Sequence, residues 1–172
     1  MKPVSHALLW VLTASLSVIA AVRGDGYPPS GFVDLVEIDA SIQVDLRYLG
    51  RDNFLGRPVD GYQANRLIVS EAAGRALARV QAELQPLVLG LVDIQCGQTQ
   101  DMGTPRDFLP ESWPAFADLL PQQRASRLLL RALMLRHGFR PLEQEWWHFT
   151  LEDEPFPDTY FNFPIRASTA TP

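Results

Sequence analysis

The sequence predicts one small domain that mixes helices and strands, and three observations carry that expectation. Between Ser41 and Tyr48 apolar and polar residues alternate strictly, the period of a half-buried strand. After Ser70, and again after Pro121, apolar residues recur at helical spacing instead. The chain has 172 residues, 47% of them hydrophobic and 20% charged, enough to bury a core and too apolar for a disordered majority.

Taken in order, Lys2 and His6 precede an apolar run from Ala7 to Val22, with small residues at Ala20, Ala21 and Gly24. A charged start, an apolar middle and a small-residue end make a secretory signal peptide, shorter than a membrane span needs. Residues 1–24 are therefore expected to be removed, leaving 25–172 as a single periplasmic or secreted domain with no stable membrane span. The net charge of -5, with Lys2 as the only lysine, argues against a nucleic-acid surface. Oligomeric state is not legible.

In the mature chain Ile42, Val44, Leu46 and Tyr48 form the apolar side of the first strand. From Gly50 to Gly61 three glycines and Pro58 stand among Asn53, Phe54 and Tyr62, a long ordered loop that could line a pocket. Ser70 is an N-cap for a helix with Ala73, Leu77, Val80 and Leu84 on its apolar face, ended by Pro86. Leu87 to Ile94 reads as a buried strand. A second helix has Pro121 near its first turn, carries Ala125, Leu128, Leu129, Ala132 and Leu135 as its apolar positions, and stops at Gly138. The aromatic and proline-rich tail from Pro155 to Pro164 should pack back over the core in extended form.

The residues that carry chemistry are Glu145-Trp146-Trp147-His148. An imidazole can hold zinc, and a carboxylate beside it can take a proton from the water that zinc activates. The same stretch also fits a core strand with two buried tryptophans. Its β-favouring flanks predict a strand, in which residues three apart point to opposite faces, so a twist or bulge would be needed to bring Glu145 and His148 together. His137 stands in the last turn of the second helix, where positive charge suits the helix dipole, and is expected to be exposed and not a ligand. Cys96 is the only cysteine, so no internal disulfide forms, and Asp93 and Asp101 are the carboxylates a metal could recruit.

Several segments, taken together and in order, resemble the zinc D-alanyl-D-alanine dipeptidases. They are Asp45-Leu46-Arg47-Tyr48, Asp52-Asn53-Phe54-Leu55-Gly56-Arg57-Pro58, Gly61-Tyr62, Asp101-Met102-Gly103-Thr104-Pro105, Glu145-Trp146-Trp147-His148-Phe149 and Tyr160-Phe161-Asn162-Phe163-Pro164. The resemblance implies an α+β domain with helices packed on a small antiparallel sheet, a DD-peptidase/hedgehog-like zinc peptidase fold. It implies one zinc per chain and hydrolysis of the small D,D-dipeptide D-Ala-D-Ala in cell-wall metabolism, with Glu145 as general base and His148 as zinc ligand.

Between the first helix and the Asp-Met-Gly segment such relatives carry several dozen more residues. Those include an arginine and a Ser-x-His-x-x-Gly-x-Ala-x-Asp motif that supplies the other zinc ligands. Here Gly90-Leu91-Val92-Asp93 passes almost directly to Asp101. The chain is therefore expected to be internally shortened, and the alternative expectation is a catalytically inactive homologue acting at most as a binding module.

Overall fold

The computed structural model describes residues 27–168 except 54, 88, 94–101 and 104–117. The expected signal segment 1–24, Cys96, Asp101 and the Thr104-Pro105 pair lie outside the described residues.

Strand β1 (Phe32–Asp34) runs into a one-turn helix α1 (Leu35–Ile38), followed by β2 (Gln43–Val44). Then β3 (Ile68–Ser70) leads into α2 (Glu71–Leu84), β4 (Val92–Asp93), α3 (Pro121–Arg136), β5 (Phe139–Pro141) and β6 (Phe149–Leu151). The domain mixes helices with small antiparallel sheets, as expected. Among the described residues the strands form three separate pairs: β1 with β3 and β5 with β6 are antiparallel, and β2 with β4 is parallel. The parallel pair departs from the purely antiparallel arrangement expected.

Helix α2 forms where its apolar spacing places it. The Ser70 side chain accepts a hydrogen bond from the Ala73 backbone N–H at 3.3 Å, satisfying one of the donors that a helix start leaves open. Ala76, Val80 and Leu84 are buried and meet Leu133, Met134 and Phe139 to form the core. Gln81, 3% exposed, ties the β2–β4 pair to this helix: its Nε2 donates to the Ser41 carbonyl at 3.2 Å and its Oε1 accepts from the Leu91 N–H at 2.6 Å.

Helix α3 begins at Pro121 and ends before Gly138, whose φ of 82° suits glycine at a helix stop. Its inner face differs from the one expected. Of the expected positions Leu129 packs against the core, whereas Ala125, Leu128, Ala132 and Leu135 are exposed and Arg127, Leu133 and Met134 are buried. Two apolar stripes run along this helix about 200° apart, since each residue turns it by about 100°, and the core takes the one containing Arg127, Leu130 and Met134.

The strand expected over residues 41–48 shrinks to Gln43–Val44, although Ile42 is buried as the alternation requires. The cause lies in Asn53, whose Nδ2 donates to the carbonyls of Arg47, Gly50 and Arg57 at 3.2, 3.0 and 2.9 Å. Those contacts draw the chain from Arg47 onward into a turn and an ordered loop. The strand expected from Leu87 shrinks likewise, to Val92–Asp93, because the chain after α2 continues as a tight helical turn over Gln85–Leu87. The tail does pack back over β1: Phe32 stacks on Phe156 with centroids 5.3 Å apart and meets Phe161 edge-on at 4.8 Å.

Candidate active site

Glu145-Trp146-Trp147-His148 is a turn and not a strand. It lies in the connection between β5 and β6, closed by the Leu142 N–H donating to the His148 carbonyl at 2.9 Å. The Glu145 N–H donates to the Leu142 carbonyl at 3.3 Å and the His148 N–H to the Glu145 carbonyl at 3.4 Å. Pro141, which has no N–H to donate, ends β5 just before it. In a four-residue turn the first and last residues come together, so no bulge is needed.

Oε2 of Glu145 lies 3.0 Å from Nδ1 of His148. The glutamate is 5% exposed, and the imidazole side chain is 53% exposed. The pair thus places a buried carboxylate behind an open imidazole. The open imidazole is the group of this pair that could hold a metal, and the carboxylate is the one that could accept a proton. The described residues supply one such corner: no group of three His, Cys, Asp or Glu side chains able to hold a metal occurs among them. Asp93 belongs to β4 by its backbone, opposite Val44.

His137 closes α3, but it is not exposed as expected. Its side chain is 14% exposed, with Nε2 2.7 Å from Oε1 of Glu83, and Arg136 pairs with the other carboxylate oxygen. The hydrogen bond from His137 holds the Glu83 carboxyl below its ordinary pKa, opposed in part by burial and helped by the charge of Arg136.

Arg127 is the residue that sequence reasoning missed. It is 3% exposed, its Nε donates to the Met102 carbonyl at 2.7 Å, and its guanidinium lies 5.4 Å from the centroid of the Trp146 ring. Burial lowers its pKa, with the like charge of Arg124 adding to the effect. The available signal was an arginine in register with Leu130 and Met134 on one helix face.

A cleft of about 560 Å³ opens beside this site, between α2 and α3, with Leu77, Leu129, Met134, Trp146, Trp147 and Phe156 among its walls. Its described walls are mainly apolar, which makes it a poor seat for a charged dipeptide. None of the described residues of the Gly50–Gly61 loop lines it.

A family model described as D-ala-D-ala dipeptidase matches the chain over residues 29–96 and 93–166. A D-alanyl-D-alanine dipeptidase of Streptomyces coelicolor is 29% identical over 197 residues, covering 78% of this chain and 96% of the relative. One of Enterococcus faecalis is 27% identical over 199 residues, covering 79% of this chain and 98% of the relative. Because 78% of 172 residues is about 134, an alignment of 197 positions leaves about 60 with no residue of this chain.

Proposed function

Since the chain belongs to the D-Ala-D-Ala dipeptidase family, we propose that it is a metal-dependent hydrolase of the D-Ala-D-Ala dipeptide, acting outside the cytoplasm in cell-wall metabolism. The observation that carries this reading is the 3.0 Å pairing of buried Glu145 with exposed His148 at one turn. The relatives that share the match are named as dipeptidases, which favours an enzyme over an inert remnant.

In this reading Glu145 accepts a proton from the attacking water and delivers it to the leaving amine, and His148 is the ligand that would hold zinc. Zinc, when bound, would supply Lewis acidity and a more acidic water. The burial of Glu145 keeps bulk water from competing for its proton, and the turn holds donor and acceptor in fixed register. Trp146, the neighbour of Glu145 in the turn, is 7% exposed. The family fold proposed is the DD-peptidase/hedgehog-like one. We also infer that it is internally shortened where the two matched stretches meet, at residues 93–96, with carboxylates such as Asp93 or Asp101 as the further metal ligands.

The decisive experiment measures D-alanine release from D-Ala-D-Ala by the purified protein, with and without added zinc and a chelator. Zinc-dependent release that Glu145→Gln lowers by about 10²- to 10⁴-fold, the usual weight of a general base, is the expected result. Release that survives both the chelator and Glu145→Gln would overturn the reading.

A further inference from the structure

We infer that Arg127 is a positioning residue for the Glu145–His148 turn, clamping Met102 to Trp146 from inside the fold. Its kinetic consequence rests on the dipeptidase reading above.

The guanidinium joins two segments that lie far from α3 in the chain. Its Nε–H reaches the Met102 carbonyl at 2.7 Å, and its charged plane lies 5.4 Å from the centre of the Trp146 ring. Trp146 is the residue next to Glu145, and its ring meets that of Trp147 edge-on at 5.4 Å. Movement of Trp146 therefore moves the turn that aims Glu145 at His148. Only arginine combines a directional N–H with a flat cation able to lie against an aromatic face. A methionine would fill similar volume without taking a charge out of water, so apolar packing alone does not account for an arginine that is 3% exposed.

Gly103 supports the other end of the clamp. Its φ is 91°, and a Cβ there would come within 2.5 Å of Leu119 Cδ2 and 3.0 Å of Gln123 Oε1. The chain beside Met102 thus presses against the start of α3, the helix from which Arg127 projects.

The test compares amide hydrogen exchange in the metal-free protein for wild type, Arg127→Met and Arg127→Lys, with steady-state kinetics on D-Ala-D-Ala beside it. In Arg127→Met, amides of residues 145–148 and 102–103 should exchange about tenfold faster or more, with α2 amides unchanged, because local opening is read separately from global unfolding. Arg127→Lys keeps a cation for Trp146 but loses the planar donor, and should fall between the two. In both variants kcat should fall with KM within about twofold, the sign of disturbed chemistry and intact binding.

Unchanged exchange at the turn, or an equal rise in α2 and the turn, would overturn the proposal. Should Arg127→Met not fold, the same comparison with Arg127→Lys decides. A wild-type protein without dipeptidase activity but with the selective exchange pattern would sink the dipeptidase reading and leave the clamp standing.

Discussion

Asp34 is 4% exposed, and an ionised carboxylate so far from water is stable only among partners. Its Oδ1 accepts from the Val36 N–H at 3.4 Å and its Oδ2 from Arg66 Nε at 2.6 Å. That bond to the carboxylate is also the main cause of the raised Arg66 pKa. Removing one side of a buried pair strands the other. Arg66→Ala should therefore cost about 3–5 kcal/mol, read from urea unfolding, and a loss below about 1 kcal/mol would mean that water reaches Asp34. Glu145 poses the same question at the active site, where its visible side-chain partner is His148. In sequence, Glu145 and His148 were legible as residues and their meeting was not, because β-favouring flanks concealed a turn. Arg127 was missed for a related reason: a charge amid leucines reads as surface unless the two stripes of the helix can be told apart.

At the scale of elements, the two long helices are joined at their C-terminal ends by Glu83 of α2 with Arg136 and His137 of α3. Because the Glu83 carboxyl is held below the ordinary glutamate value of 4.5, the folded state binds a proton there less readily than the unfolded chain. Its contribution is thus present above the ordinary value and is lost as pH falls through the lowered one. Glu83→Gln should be less stable than wild type at neutral pH, and the gap should close in acid; a gap constant with pH would show that the charge is not what matters. The N-terminal end of α2 gives a second check, since Ser70→Ala removes the cap bond to Ala73 and should cost about 1 kcal/mol in thermal unfolding. Both long helices were legible because caps, proline starts and glycine stops are local signals. The strands were not, because each is two or three residues long and owes its existence to a partner, as β2 does to β4, which no local pattern encodes.

At the scale of the whole molecule, the cleft between α2 and α3 is bordered by apolar side chains of both helices, Leu77, Leu84, Leu129 and Met134 among them. Leu89, Gly90, Leu91 and Met102 also line it. Ala73 borders the space from α2, and a larger apolar side chain there would bury new surface without displacing packed atoms. Ala73→Leu should then raise stability by about 0.5–2 kcal/mol, the usual yield of filling a cavity, measured by urea unfolding through one cooperative transition. Destabilisation by about 1–3 kcal/mol, the usual result of overpacking, would show instead that the cleft is already filled in solution.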